Sequence, residues 1–217
     1  MKLFIDSGNI KDIEALVAIG IIDGVTTNPT LLAKEPGDYR ENLKKICDIV
    51  KGPVSGEVTA VDVAGMLQQG REIAKIDQHM IVKVPLTRAG IQACKTLSGD
   101  GIRVNVTLCF SSAQALLAAK AGATYISPFV GRLDDVGTNG MELIREIVQI
   151  YNNYDFTTEI LVASCRNPIH VIEAARMGAD IATCPPAVID QLFNHPLTNI
   201  GLEKFLKDWE KSQAVKA

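Results

Sequence analysis

The sequence is poor in the residues that most often announce a function. Only 5% of its 217 residues are aromatic and three are histidine. His79, His170 and His195 stand far apart, with no second histidine at i+2 or i+4, so no spacing asks for a metal. The five cysteines, Cys47, Cys94, Cys109, Cys165 and Cys184, are odd in number and include no C-x-x-C pair. That fits neither a disulfide framework nor a zinc cluster, and each reads as a small buried apolar residue. A formal net charge of −3 with scattered Lys and Arg leaves no basic patch for a polyanion, which argues against nucleic acid. No apolar stretch approaches the roughly 18 residues of a membrane span, and the first residues read as a strand rather than a leader. The expectation is a soluble cytoplasmic protein that engages neither membrane nor nucleic acid.

What the sequence does have is an alternation. Short β-rich apolar runs occur at Leu3–Asp6, Gly24–Thr27, Val54–Val58, Met80–Pro85, Val104–Leu108, Tyr125–Phe129, Ile160–Ala163 and Ile181–Thr183. Between them lie stretches of helical periodicity, among them Ile10–Ile19, Tyr39–Val50, Val61–Ile76, Ser111–Ala121, Gly140–Asn152, Pro168–Met177 and Ala187–Phe193. Ser111 is placed to cap a helix start, and Gly20, Gly122 and Gly178 to end helices. Such alternation builds either an open doubly wound sheet or a closed (β/α)8 barrel. No G-x-G-x-x-G follows the first strand, so the barrel is favoured, as a single domain over residues 1–217. Its strands carry polar residues near their C-terminal ends: Asp6, Thr27 and Asn28, Glu57, Lys83, Asn105 and Thr107, Ser127, and Ser164. In a barrel these ends converge on one mouth.

Lys83 is out of place in Met80-Ile81-Val82-Lys83-Val84-Pro85. A buried, unpaired ammonium is costly, so such a site favours the neutral amine, which attacks carbonyls. The alternative is a structural lysine paired with a buried carboxylate. A neutral amine at the mouth can add to a ketone, lose water to form an imine, and use that imine as an electron sink for carbon–carbon cleavage. Glu57 can move protons through a water during imine formation, Thr107 can hold that water, and Asp6 can take the proton from the hydroxyl whose carbon becomes an aldehyde. Either acid can instead simply pair with Lys83. Arg132, after Phe129, and Ser164 with Arg166, at the seventh strand, suit a phosphate monoester near the last barrel loops; one such arginine alone is more often a surface ion pair.

These motifs resemble those of the transaldolases. Asp6-Ser7-Gly8-Asn9, Thr26-Thr27-Asn28-Pro29-Thr30, Lys83-Val84-Pro85, Asn105-Val106-Thr107-Leu108, Ser127-Pro128-Phe129-Val130-Gly131-Arg132 and Ala163-Ser164-Cys165-Arg166-Asn167 are similar, in order, to those of the small transaldolase subfamily. The resemblance implies a barrel of the class I aldolase type, without metal or organic cofactor, acting on sugar phosphates. It implies Lys83 as the Schiff-base lysine, Asp6 and Glu57 as acid–base residues assisted by Thr107, and Asn28, Asn105 and Ser127 as substrate contacts. Arg132, Ser164 and Arg166 fall on its phosphate contacts. The related fructose-6-phosphate aldolase, the alternative activity, typically carries Gln at the position of Glu57 and Tyr at that of Phe129. A tyrosine hydroxyl can help protonate and release a three-carbon enamine; Phe129 has no proton to give.

From Asn199 onward, Ile200, Leu202, Phe205, Leu206 and Trp209 alternate with charges at helical spacing, predicting an additional C-terminal helix over 199–217. It either lids its own barrel or packs on a neighbouring subunit. The family resemblance implies a homo-oligomer, a pentamer or decamer, with C-terminal helices crossing between subunits.

Overall fold

Eight parallel strands close on themselves in sequence order, each hydrogen-bonded to the next and the last to the first, in the computed structural model, which describes residues 1–214. The chain runs β1 (Lys2–Asp6), α1 (Ile10–Val17), β2 (Gly24–Thr26), α2 (Pro29–Leu32), α3 (Tyr39–Val50), β3 (Val54–Glu57), α4 (Val63–Ala74), β4 (Met80–Pro85), α5 (Arg88–Gly99) and β5 (Val104–Cys109). It continues through α6 (Ser112–Ala121), β6 (Tyr125–Pro128), α7 (Val130–Asp135), α8 (Gly140–Asn153), β7 (Glu159–Val162), α9 (Pro168–Met177), β8 (Ile181–Cys184), α10 (Pro186–Gln191) and α11 (Pro196–Ala214). This is the expected (β/α)8 barrel with an additional C-terminal helix. No helix among the described residues is long and apolar enough to cross a membrane.

Helix starts are set by side-chain caps. Ser111 accepts from the Gln114 N–H at α6, and Asn167 accepts from the Ile169 and His170 N–H groups at α9. Gly122 and Gly178 end α6 and α9 in the left-handed conformation. α1 stops two residues short of Ile19, at Val17, so the cap falls on Ala18 and Gly20 only turns the chain onward. α5 fills the helix position that the barrel requires between β4 and β5, although Gly90 and Gly99 dilute its own periodicity. Gly90 is nonetheless required: a Cβ there would sit 1.8 Å from the Pro85 carbonyl oxygen, so only glycine lets the helix start against the end of β4.

Side-chain alternation splits each strand between two cores. One face packs on the helices, through residues such as Ile5, Val25, Val54, Val82, Val84, Val106 and Val162. The other fills the barrel floor with Phe4, Ile81, Tyr125, Leu161, Ala163 and Ile181. Phe4 and Tyr125 meet edge to face, with centroids 6.2 Å apart, and the Phe4 ring occupies the space a Cβ on Gly24 would need. Two residues further along these strands, on the same face, stand Asp6, Thr26, Lys83, Ser127 and Thr183. The apolar floor therefore sits directly beneath a polar layer at the mouth.

α11 begins at Pro196, three residues before the expected start at Asn199, and residues 215–217 of the expected helix lie outside the described residues. None of its residues is buried, and Leu197, Ile200, Leu202, Phe205, Leu206 and Trp209 are all exposed. It does not bury this stripe against its own barrel, which removes the self-lid expectation.

Candidate active site

Parallel pairing of β3 with β4 puts Glu57 in register with Lys83, and pairing of β4 with β5 puts Lys83 in register with Asn105. Lys83 is 4% exposed. Its Nζ lies 3.0 Å from Oε2 of Glu57 and donates to the Thr27 carbonyl at 3.0 Å. The buried lysine is thus paired, the arrangement that the sequence left open beside the neutral amine. Thr27 contributes its carbonyl rather than its side chain, whose hydroxyl donates to the Ser55 carbonyl at 2.7 Å.

Asp6 ends β1 and receives the Thr26 hydroxyl at 2.7 Å; the same Thr26 oxygen is 2.7 Å from Oγ1 of Thr183. Thr26 has one hydroxyl proton, and it goes to the carboxylate, so Thr183 donates to Thr26. Burial pushes the Asp6 carboxyl above the usual carboxylate range, opposed by the Lys83 charge and the Thr26 hydrogen bond.

Thr107 is buried, and its hydroxyl has no hydrogen-bond partner among the described residues. It lines a hollow of about 400 Å³ together with Glu57, Lys83 and Asp6. The next residue, Leu108, holds φ at 59° where β5 shifts register against β6. A non-glycine residue in that conformation is strained, and the bulge re-aims the strand end at the mouth. Asn28 caps α2 through its amide oxygen, which accepts the Leu31 N–H at 2.9 Å, and its side chain lines both hollows at the mouth. Ser127 donates to the Asn105 amide oxygen at 2.7 Å, and Asn105 donates to Ser55 at 3.2 Å. Ser127 lines the cleft, while Asn105 is fully buried behind it.

A second hollow of about 310 Å³ adjoins the first and is shared by Asp6, Lys83, Ser127, Arg132, Ser164 and Arg166. The Arg132 guanidinium lies 4.9 Å over the Phe129 ring. Arg166 pairs with Asp135 at 2.8 Å, and its Nε lies 3.5 Å from the Ser164 hydroxyl. Ser164 holds φ at 60°. The mouth thus brings together a lysine, two carboxylates, several hydroxyls and two arginines, which suits a small polyhydroxylated molecule with an anionic end. The contributions of Thr26, Thr183, Ser55 and the Thr27 carbonyl were not anticipated; counting by twos from Gly24 and Ile181 turns the first two inward.

All five cysteines are buried and free. Burial pushes the Cys47 and Cys109 thiols up to about 12 and Cys94 to about 11, so these three stay protonated at neutral pH.

A family model described as transaldolase/fructose-6-phosphate aldolase matches residues 3–216. A probable transaldolase of Caldicellulosiruptor saccharolyticus is 59% identical over 212 residues, 97% of this chain and 98% of that protein. One from Anaeromyxobacter dehalogenans is 58% identical over 211 residues, 97% of each chain. One from Kosmotoga olearia is 54% identical, again over 211 residues and 97% of each chain.

Proposed function

The chain belongs to the transaldolase/fructose-6-phosphate aldolase family, and from that premise we propose that it is an enzyme with transaldolase activity. It moves a dihydroxyacetone unit from a ketose phosphate, sedoheptulose 7-phosphate or fructose 6-phosphate, to glyceraldehyde 3-phosphate or erythrose 4-phosphate. The observation that carries the reading is the buried Lys83 at the barrel mouth, 3.0 Å from a carboxylate able to take its proton and in one hollow with a second, desolvated carboxylate.

In this mechanism Lys83 passes a proton to Glu57 and its amine attacks C2 of the ketose. Glu57 returns a proton through a water held by Thr107, the carbinolamine loses water, and an imine forms. Asp6 removes the proton of the C4 hydroxyl, the C3–C4 bond breaks, and its electron pair moves into the imine to give an enamine. The aldose leaves, and the enamine carbon attacks the acceptor aldehyde, which restores the protonated imine as the aldehyde oxygen takes up the electron pair. Asp6 returns its proton to the new hydroxyl, and water then frees the product from Lys83. Asn28 and Ser127 hold the sugar hydroxyls, and Asn105, expected from the resemblance to touch substrate directly, instead fixes the Ser127 hydroxyl from behind. Arg132 and Arg166, with Ser164, hold the phosphate. Neither metal nor organic cofactor enters these steps.

Phe129 supports transfer over release, because no phenol stands there to protonate the enamine before an acceptor arrives. Its ring packs instead under Arg132 and against Phe110, with ring centroids 5.8 Å apart. The exposed stripe of α11 supports assembly into a homo-oligomer, a pentamer or decamer, with the whole chain acting as one domain. The substrates fit a cytoplasmic enzyme of pentose phosphate interconversion. Incubation with fructose 6-phosphate, with and without erythrose 4-phosphate, tests the activity. Sedoheptulose 7-phosphate formed only with the acceptor supports it; free dihydroxyacetone at the same rate in both would make the protein an aldolase.

A further inference from the structure

One histidine is built into the wall behind the phosphate site. His170 is 8% exposed and stands in the first turn of α9, after the cap Asn167. Its Nδ1 accepts the backbone N–H of Arg166 at 3.2 Å. A backbone amide only donates, so in this arrangement Nδ1 carries no proton and the ring hydrogen is on Nε2. Nε2 lies 3.0 Å from Oδ2 of Asp134 on α7, and it donates to that oxygen. The other Asp134 oxygen accepts the Gly140 N–H, at the start of α8, at 2.9 Å. At this helix position a glutamate commonly reaches back to cap the preceding backbone. An imidazole does the same and keeps a second nitrogen, on its far side, for another element.

The two elements it joins carry the two arginines. α7 holds Arg132, and the loop before α9 holds Arg166. The first turn of α7 is fixed to that loop by Val130 and Gly131, whose N–H groups donate to the Ala163 and Ser164 carbonyls at 3.1 Å each. The contact is tight: a Cβ on Gly131 would lie 2.3 Å from the Ser164 oxygen and 2.7 Å from the Arg166 side chain. The last turn of α7 is fixed by Asp134 to His170, beside the exposed Asp135–Arg166 pair. None of the hydrogen bonds of Lys83, Glu57 or Asp6 among the described residues runs to His170 or Asp134.

We infer that His170, acting through Asp134, is a positioning residue that sets the spacing of the Arg132 and Arg166 guanidiniums for a phosphate monoester, an inference that rests on the phosphate reading above. Charge-assisted hydrogen bonds from arginine to phosphate depend on geometry, so loosening α7 against the loop weakens the hold on the phosphate. The chemistry at Lys83 is left in place.

Variants separate the two nitrogens. His170→Asn keeps an acceptor near Nδ1 but is too short to reach Asp134; His170→Gln keeps a donor near Nε2; Asp134→Asn turns one acceptor oxygen into an amide that cannot accept. Each is assayed for KM and kcat with fructose 6-phosphate, beside Arg166→Ala as a reference for the phosphate site. A third readout is the rate at which borohydride traps unphosphorylated dihydroxyacetone on Lys83. The expected result is a KM raised about tenfold in His170→Asn and Asp134→Asn, the loss of about one hydrogen bond. In these variants kcat and trapping stay within about twofold of the parent, and His170→Gln recovers most of the affinity. A KM unchanged in these variants but raised in Arg166→Ala would overturn the inference and leave the phosphate reading standing. A KM unchanged in Arg166→Ala as well would overturn both. A parallel fall of kcat and trapping would mean general distortion of the barrel and would also overturn the inference.

Discussion

Nζ of Lys83 lies 3.0 Å from Oε2 of Glu57, its register partner on the neighbouring strand, and both side chains are largely withdrawn from solvent. A buried pair of this kind contributes little net stability, because desolvation of the two charges offsets most of their attraction. In the proposed mechanism its value is chemical: the lysine has a proton acceptor in place before substrate arrives. Glu57→Gln removes that acceptor while keeping the shape of the side chain. It is expected to lower kcat about 100-fold, the scale of a lost acid–base group, with imine formation slowed in single-turnover trapping.

Asp6 yields a prediction in which stability and activity part company. Burial raises its carboxyl above the ordinary value, so the folded state holds the proton more tightly than the unfolded chain does. The stability this gives is present below the unfolded value and is lost as pH rises through the folded one. At neutral pH the ionised group is therefore a net cost. Asp6→Asn is expected to abolish turnover yet to raise Tm at neutral pH, with the gain shrinking as pH falls. Thermal unfolding across pH checks it, and a lower Tm at pH 7 would contradict it.

Thr26 tunes the same group. Its hydroxyl donates to Asp6 at 2.7 Å and favours the carboxylate. Thr26→Val removes that donor at nearly constant volume, so the Asp6 carboxyl moves further up. The acid limb of the kcat/KM profile, where the carboxylate is required, is expected to shift to higher pH. An unmoved limb would mean that another group sets it.

Phe129→Tyr places a phenol at the rim of the cleft, beside Arg132. Release of free dihydroxyacetone is expected to rise at the expense of transfer, read as the ratio of the two products at fixed acceptor. An unchanged ratio would show that the missing hydroxyl is not what protects the enamine.

The barrel was legible because its signals repeat: parallel-type runs, helical periodicity between them and glycines at the turns. Lys83, Asp6 and Glu57 stood out because a charge inside an apolar run is conspicuous. Thr26 and Thr183 did not, since threonine is an ordinary strand residue and its role depends on which face it takes. Thr27 shows the same ambiguity from the other side: one step along the chain from Thr26, its hydroxyl turns away to a backbone carbonyl while its own carbonyl faces Lys83. The periodicity of α5 is diluted by glycines, and Gly90 answers a close approach to β4, a constraint that exists only once the barrel has closed. His170 read as isolated because its partners, Arg166 and Asp134, reach it through backbone and fold rather than through a spacing.

In the proposed mechanism Lys83 forms a covalent imine with the substrate ketone. Incubating the protein with fructose 6-phosphate and borohydride, then mapping peptides by mass spectrometry, tests it most directly. The expected product is a reduced three-carbon or six-carbon adduct on the peptide that contains Lys83, absent from Lys83→Ala. A folded protein that binds fructose 6-phosphate yet yields no adduct at Lys83 would contradict it and leave Lys83 as a structural partner of Glu57.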